Sequence, residues 1–320
     1  RIEHVSEVIR AENNSIKLGK VNKLDLKLLT INILPKLQLH EENEMEEFLL
    51  SADKKEHVSE IIHAENNSIC IGKVKKLELE LFAINILPKM KLHEENKMDR
   101  FSLSADKEEY VSEIIRVGNN TIWLGKVKSL ELSGHSVNTL PKLRLHEENV
   151  MEDLVLNAPE LEHVSEITSA ENNSINTRKL KNLELRGYAI NVLPKLQGEH
   201  EIEELVIANV GRRFCSDDVF SSDIDFCSWK IKMLKIENSA IDVLKIRKGK
   251  GCVLDHFEFV PRKGESFSYL KPRKAFSSID IGRVRERGLF VPKEVRSILK
   301  YTLVDDEGNG VEKKKKGFIW

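Results

Sequence analysis

The sequence is poor in the patterns that mark many functional classes. It has only four cysteines and no C-x-x-C spacing, so it shows no zinc or disulfide framework. No apolar run approaches the ~18 residues of a membrane-spanning helix. Its 51 basic and 52 acidic residues nearly cancel, so no overall field attracts nucleic acid or an anionic membrane. We therefore expect neither specific nucleic-acid binding nor a membrane span.

The cysteines are Cys70, Cys215, Cys227 and Cys252, and their spacing is irregular. We interpret them as ordinary buried or incidental thiols, because a free cysteine commonly behaves as a small hydrophobic residue. A disulfide among the last three is the alternative, and it would suit a secreted protein.

Motifs of catalysis are also missing. Gly19-Lys20-Val21 lacks the spacing and the hydroxyl of a phosphate-binding P-loop, and no G-x-G-x-x-G or G-x-S-x-G occurs. The run from His40 to Glu44 is not H-E-x-x-H. We predict that the protein is not an enzyme and uses no cofactor.

What the sequence does contain is a repeat of about 53 residues. EHVSEVIRAENNSI begins at Glu3, and close copies follow at Glu56, Tyr110 and Glu162. A fixed period of this kind predicts stacked copies of one structural unit, each completing the hydrophobic core of its neighbour. Proteins of this type generally bind rather than catalyse.

Each 53-residue unit contains two shorter steps of 24 and 29 residues, marked by two apolar residues that flank a single intervening residue. Such spacing predicts short strands whose alternate side chains point into a core. The pairs are Leu24/Leu26, Phe48/Leu50, Leu77/Leu79, Phe101/Leu103, Leu130/Leu132, Leu154/Leu156, Leu183/Leu185, Leu205/Ile207, Leu234/Ile236 and Phe257/Phe259.

These segments resemble the leucine-rich-repeat superfamily, as in VNKLDLKLLTI from Val21, VKKLELELFAI from Val74 and VKSLELSGHSV from Val127. The steps fall in the length range of that superfamily. The resemblance implies an α/β fold: a curved solenoid with a parallel inner sheet, and with turns, short helices and short strands on the convex side.

One feature departs from the superfamily pattern. The ninth position of the motif often carries asparagine or cysteine, which bonds to the backbone of the turn after the strand. Here that position carries other residues, so we expect packing to hold the turn instead. They are Leu29, Phe82, His135 and Tyr188 after one strand of each unit, and Asp53 and Asp106 after the other strand in two units.

The repeats divide the chain into two parts. Residues 1–260 hold about ten repeats, and the first begins inside a unit, so we expect an N-terminal cap to be missing. In residues 261–320 the pattern weakens, which predicts divergent repeats or a C-terminal cap, with turns at Ile279-x-Ile281 and in 295–304. The lysines at 313–316 read as a solvated tail.

Within one unit, the connections alternate in character. Leu34-Pro35 predicts a short turn or the start of a helix, because proline fixes φ and has no donor. His40 to Asn43 predicts a solvated polar loop, and residues 58–62 predict a turn or two of outer helix.

The loop histidines recur about 10 Å apart, too far to share one zinc ion. The Ile16-x-Leu18 segment predicts a short extra strand, which would account for the longer step.

Outward positions on the strands are the candidate binding site. Charges of opposite sign alternate from strand to strand, which favours either structural cross-strand ion pairs or a striped surface for a mixed-charge protein partner. The candidate partner-binding residues are Lys23, Asp25, Glu47, Leu49, Lys76, Glu78, Arg100, Ser102, Glu131, Val155, Glu184 and Val206.

Four asparagines begin an Asn-x-Ser/Thr sequence in register with the repeat: Asn13, Asn66, Asn119 and Asn172. They are possible glycosylation sites of a secreted protein. The alternative is that Asn-Asn serves as turn chemistry that was copied with the unit.

Two functional hypotheses follow. From the resemblance, we expect a non-catalytic scaffold for protein–protein interaction that binds a protein partner through its concave face. The alternative is a secreted or surface repeat protein with a structural or adhesive role. The sequence fixes neither the partner, nor the compartment, nor the oligomeric state.

Overall fold

The structure is a computed structural model that describes residues 7–40, 42–198, 200–210, 229–239, 253–263, 279–297 and 299–311. Within these ranges, strands alternate with short helices along the chain. The strands are β1 (Ile16–Lys17), β2 (Lys23–Lys27), β3 (Leu37–Gln38), β4 (Glu44–Ala52), β5 (Ile69–Leu81), β6 (Met90–Leu92), β7 (Lys97–Ala105), β8 (Ile122–Gly134), β9 (Leu143–Leu145), β10 (Val150–Ala158), β11 (Lys179–Gly187), β12 (Glu201–Ala208), β13 (Lys230–Ser239), β14 (Val253–Leu254), β15 (His256–Pro261), β16 (Ile279–Arg285), β17 (Leu289–Phe290) and β18 (Leu299–Val304).

One large sheet of 13 strands dominates the described residues. Eleven of its strands lie side by side in the order β2, β4, β5, β7, β8, β10, β11, β12, β13, β15 and β17, and every neighbouring pair is parallel. Parallel neighbours need a crossover between them, and the short helices and loops supply it. The fold is thus mixed α/β, as the sequence predicts.

The apolar pairs form continuous rows across this sheet, which confirms the predicted strands. Leu24 lies opposite Phe48, which lies opposite Leu77. The row continues through Phe101, Leu130, Leu154, Leu183, Leu205, Leu234 and Phe257 to Leu289 of β17. All of these side chains except Leu24 are buried and belong to one hydrophobic cluster that runs under the sheet. Burying each side chain contributes roughly 1.5–3 kcal/mol.

Short helices close the core on the side away from the exposed sheet face. In the short steps they are 3₁₀ helices at Leu28–Lys36, Phe82–Lys89, His135–Lys142 and Tyr188–Lys195. In the long steps a 3₁₀ turn leads into one α-helical turn, as at Lys55–Val58 and Ser59–Ile62, with later copies at Glu108–Val111 and Ser112–Ile115, and at Leu161–Val164 and Ser165–Thr168. Val58 and Ile61 are fully buried, so the predicted outer helix is confirmed. Two further turns, at Glu286–Gly288 and Lys293–Arg296, lie near the C-terminal end.

The prolines lie near the ends of the 3₁₀ helices and not at their starts. Pro35 is the residue before the last one of its helix. Its fixed φ suits a 3₁₀ conformation, and its carbonyl accepts the N–H of Asn14 at 3.0 Å. The prediction of a short helical turn is confirmed, and the position at a helix start is wrong.

Buried asparagines in the loops before the strands bond to the backbone of neighbouring repeats. Asn96 lies in the loop before β7 and is 1% exposed. Its Oδ1 accepts the N–H of Val74 at 2.8 Å, and its Nδ2 donates to the carbonyl of Leu124 at 3.1 Å. Asn43 and Asn149 occupy the same place in other repeats. The loop predicted to be fully solvated therefore ends in a buried polar residue.

A second set of buried asparagines lies inside the 3₁₀ helices. Asn85 donates to the carbonyl of Glu109 at 2.9 Å and accepts the N–H of Glu113 at 2.9 Å. Asn32 and Asn138 make the equivalent contacts in their own repeats. Each amide therefore ties its helix to backbone groups of the next turn, where the carbonyl also accepts a serine hydroxyl.

Two of the long strands change direction at a glycine. Residues 69–72 of β5 pair with β6, and the rest of β5 joins the main sheet. The change falls at Gly72, whose φ is +81° and where a Cβ would lie 2.9 Å from the Asn43 carbonyl oxygen. Glycine adopts this conformation without steric penalty. The extra pairing confirms the short strand predicted after the Asn-Asn turn.

Residues beyond 260 continue the parallel architecture. β17 extends the main sheet, and β14, β16 and β18 form a separate three-stranded parallel sheet. The segments predicted as degenerate turns lie in β16 and around β18.

Cys70 is exposed, which excludes the buried interpretation for that thiol. The predictions on Cys215, Cys227, Cys252 and residues 313–316 fall outside the described ranges.

Candidate interaction face

The outward-pointing side of the main sheet presents aligned rows of side chains. We call it the sheet face and define two of its rows by strand order. The first row is Lys23, Glu47, Lys76, Arg100, Ser129, Asp153, Asn182 and Glu204. The central row is Asp25, Leu49, Glu78, Ser102, Glu131, Val155, Glu184 and Val206.

All twelve sequence-derived candidates lie in these two rows. Neighbours in a row are about 4.8 Å apart, so the structure brings them together along one surface. The candidate set omitted four first-row members: Ser129, Asp153, Asn182 and Glu204. It also omitted a third row, represented by Lys27, Ser51, Glu80, Ser104, Ser133, Asn157 and Arg186. Continuing the two-residue alternation one step past each apolar pair would have found that row.

Opposite charges pair between neighbouring strands, as the alternating pattern predicts. The Lys23 Nζ lies 2.6 Å from a Glu47 carboxylate oxygen, and Lys76 lies 3.8 Å from the same group. The hydrogen bond from Lys23 lowers the pKa of Glu47, and the same bond raises the pKa of Lys23. These contacts favour the charged form of both groups.

A further line of pairs lies just before the first row. Lys75 is 2.6 Å from Glu46, and Lys128 is 2.7 Å from Asp99. The Lys128 hydrogen bond lowers the pKa of Asp99. Each of these pairs is largely solvent-exposed, so it fixes side-chain positions more than it stabilises the fold.

Arg100 contacts two carboxylates of the sheet face. Its Nη2 lies 2.6 Å from Glu131 on β8, and its Nε lies 4.0 Å from Glu78 on β5. The guanidinium group therefore links carboxylates on both sides of β7. This arrangement holds the centre of the face in one geometry.

The region over β10, β11 and β12 has a shallow pocket of about 100 Å³ with a mixed lining. Val155 and Val206 lie between Asp153, Glu184 and Glu204. The volume is far below the roughly 300–1,000 Å³ of small-molecule sites, and it is close to the size of one side chain. The shape suits a protein surface better than a cofactor.

A larger open groove of about 660 Å³ lies where the strands begin. Two of its lysines are paired with two of its glutamates: Lys73 is 2.9 Å from Glu95, and Lys126 is 2.9 Å from Glu148. The hydrogen bonds from these lysines lower the pKa of Glu95 and Glu148. These two carboxylates are therefore held in their ionised, ion-paired form.

The repeated loop histidines accept hydrogen bonds from the backbone of their own loops. The Nδ1 atoms of His40, His93 and His146 accept the N–H groups of the glutamates two residues later, at 3.1–3.2 Å. In the part of the chain that the structure describes, no three His, Cys, Asp or Glu residues cluster as metal ligands. The same part has no helix long and apolar enough to cross a membrane.

The Asn-Asn segments form tight turns. Asn14 has a left-handed φ of 57°, and its counterparts Asn67, Asn120 and Asn173 have the same conformation. The four candidate glycosylation residues precede them and are exposed. Lys36 donates to Asn13 Oδ1 at 2.8 Å, and Lys89 donates to Asn66 at 3.0 Å. The turns leave all four carboxamides at the surface.

Comparison of the sequence with protein-family models and with curated proteins, and of the structure with solved structures, gave no match.

Proposed function

We propose that this chain is a leucine-rich-repeat solenoid that acts as a non-catalytic scaffold and binds a protein partner through a concave sheet face. The steps of 24 and 29 residues, the parallel strands and the row of buried leucines support the leucine-rich-repeat assignment. A curved sheet would gather the two rows of the face around a partner.

The observation that carries the proposal is the long, aligned sheet face. Its charged side chains are held by cross-strand ion pairs, and Leu49, Val155 and Val206 place apolar surface between them. Protein interfaces combine an apolar centre with polar surroundings and gain affinity from side chains that are already ordered. We expect the partner to carry mixed charge.

Charge reversal tests this function. We expect Lys75→Glu with Lys76→Glu to abolish affinity capture of the partner by the full chain, because the change inverts the charge pattern at the centre of the face. The matched control is Lys54→Glu with Lys55→Glu, two adjacent exposed lysines away from the main sheet.

The proposal predicts loss of capture only in the first double variant, with both variants retaining the wild-type Tm within about 3 °C. Equal capture by both variants would contradict it. A large Tm loss confined to the sheet-face variant would assign those lysines a structural role.

A secreted or surface protein with an adhesive role is the second candidate. The observation that favours it is the exposure of all four sequon asparagines at equivalent turns. Secretion of the full chain from eukaryotic cells should then give a mobility shift on deglycosylation, reduced stepwise as the four asparagines are changed to Gln. Secretion without any shift would remove this support.

A further inference from the structure

A column of side chains follows the strand ends of successive steps. Leu29, Phe82, His135 and Tyr188 hold the ninth motif position, and His57, Tyr110 and His163 lie four residues past that position in the intervening steps. In the second double repeat, Phe82 and Tyr110 pack edge to face with ring centroids 4.6 Å apart. In the third, His135 and His163 replace them with nearly the same geometry, at 4.5 Å and an interplanar angle of 82°. We call this ring-to-ring contact between successive steps a joint. It is built once from aromatic rings and once from imidazoles.

The histidine joint combines a buried ring, His163, with a half-buried one, His135. His163 is 4% exposed, and its Nδ1 accepts the N–H of Glu160 at 3.2 Å. The Nδ1 of His135 is buried and has no hydrogen-bond partner. The two rings connect the helix His135–Lys142 to the turn Leu161–Val164, and these two segments pack directly against each other. A proton on either ring would place a charge inside this contact.

Few charged groups can offset that charge. Glu160 and Glu162 act on His163 and favour its protonation, whereas His135 and burial oppose it; burial is the largest effect and lowers the pKa of His163. The neighbouring segments Glu108–Val111, Ser112–Ile115 and Ser165–Thr168 carry Glu108, Glu109, Tyr110, Glu113 and Glu166. Among the described residues none of these five bonds to either ring. The segment Tyr188–Lys195 also packs on the turn of His163 and carries Tyr188 and Lys195, whose ammonium group donates to the Ala170 carbonyl and opposes a second positive charge. The outward-pointing charges of β7, β8 and β10 lie on the sheet face.

His57, the first histidine of the column, shows what the joint lacks. Its Nδ1 lies 2.8 Å from the Asp53 carboxylate, so a protonated His57 has a counterion. One hundred and six residues later, Pro159 occupies the place of Asp53, next to His163 in the same turn. His57 therefore has a carboxylate at this position of its turn, and His163 has none at the equivalent position.

We propose that the His135–His163 pair is an acid-sensitive joint: on acidification from about pH 7.5 to about pH 5.5, residues 135–142 separate from residues 161–164, while the Phe82–Tyr110 joint stays closed. The sign follows from linkage. Because burial holds the folded-state pKa of His163 below its ordinary value of 6.5, the unfolded or open state binds more protons as the pH falls below that value. The closed joint is fully stable above pH 6.5 and loses stability below it.

Hydrogen exchange of the full chain, followed by mass spectrometry and corrected for intrinsic rates, tests this joint. We expect protection in peptides covering 130–145 and 158–168 to fall by up to about tenfold on acidification, the limit for one histidine that is neutral in the closed joint and has its ordinary pKa of 6.5 in the open one. Peptides covering 77–92 and 105–115 contain the aromatic joint and should keep their protection. Equal losses in both pairs of peptides, or no loss in the first, would overturn the proposal.

Two variants sharpen the test. His135→Phe with His163→Tyr copies the aromatic joint, and we expect it to abolish the local acid effect. Pro159→Asp restores the carboxylate that His57 has, and we expect it to reduce the effect by shifting the opening to lower pH. An acid effect that persists in the aromatic variant would contradict the inference. If that variant does not fold, imidazole titration of the wild type by NMR decides, because His163 protonating at or above pH 6.5 would refute the joint.

Discussion

Replacing Asn96 with alanine should destabilise the fold far more than its position in a polar loop suggests. The side chain is 1% exposed, accepts the Val74 N–H and donates to the Leu124 carbonyl. Alanine would leave both backbone groups buried without a partner. Each such loss amounts to roughly 1–3 kcal/mol, so we expect a decrease of about 2–6 kcal/mol in the free energy of unfolding.

The repeat supplies two comparisons for this prediction. Asn149 accepts the Val127 N–H at 2.7 Å, but its Nδ2 is buried without a hydrogen bond, so Asn149→Ala should lose only about 1–3 kcal/mol. Asn66 is an exposed turn residue whose partner is Lys89. Asn66→Ala should fall within about 0.5 kcal/mol of the wild type.

Equilibrium unfolding in urea measures all three variants, with the midpoint and the slope compared at constant pH. The expected order of destabilisation is Asn96, then Asn149, then Asn66. An Asn96→Ala variant within about 0.5 kcal/mol of Asn66→Ala would refute the reasoning, because it would mean that the loop amide does not hold the adjacent turns together.

Two other predictions rest on backbone geometry and on a buried imidazole. Gly72→Ala should lose about 1–3 kcal/mol, because its φ is +81° and the new Cβ would lie 2.9 Å from the Asn43 carbonyl oxygen; Gly19→Ala has open space around it and is the control in the same urea assay. His200 is buried at the place of the loop asparagine, and burial lowers its pKa, so its neutral form contributes stability above pH 6.5 that is lost as the pH falls. His200→Asn should reduce the drop in Tm between about pH 7.5 and about pH 5.5, and an unchanged drop would contradict this.

The strands and their register could be predicted from the sequence because both follow from a strict spacing. Leu77 and Leu79 flank one outward residue, and the 24- and 29-residue steps place the next pair, Phe101 and Leu103, beside them. A shift of one residue would expose the leucines, so the apolar pattern alone fixes the pairing.

The buried asparagines could not be predicted in the same way. In sequence, Asn96 closes a run of His and Glu and reads as part of a solvated loop. Its burial depends on Val74 and Leu124, which belong to other turns. The available signal was its return at the same place, as Asn43 and Asn149, in otherwise polar loops. Repetition of a polar residue can mark a backbone role as well as a surface one.

Only the outward positions of the candidate face could be predicted from the sequence, because the contacts between their side chains depend on conformation. Alternation along a strand identifies outward residues such as Glu78 and Ser102, and the register then aligns them. The reach of Arg100 to both Glu78 and Glu131 depends on side-chain conformation, which the sequence pattern does not encode. The His135–His163 joint was missed because it joins residues from two successive steps.

The central claim is that consecutive steps of the repeat lie side by side as parallel strands with Glu78 opposite Ser102. Cysteines at opposing positions of adjacent strands lie within the Cα separation of about 4.4–6.8 Å that a disulfide spans. In a Cys70→Ser background, Glu78→Cys with Ser102→Cys should form an intramolecular disulfide on mild oxidation, identified by non-reducing peptide mapping. Asp25→Cys with Ser102→Cys, which lie three strands apart, should form none. A disulfide in the second pair, or its absence in the first, would contradict the account.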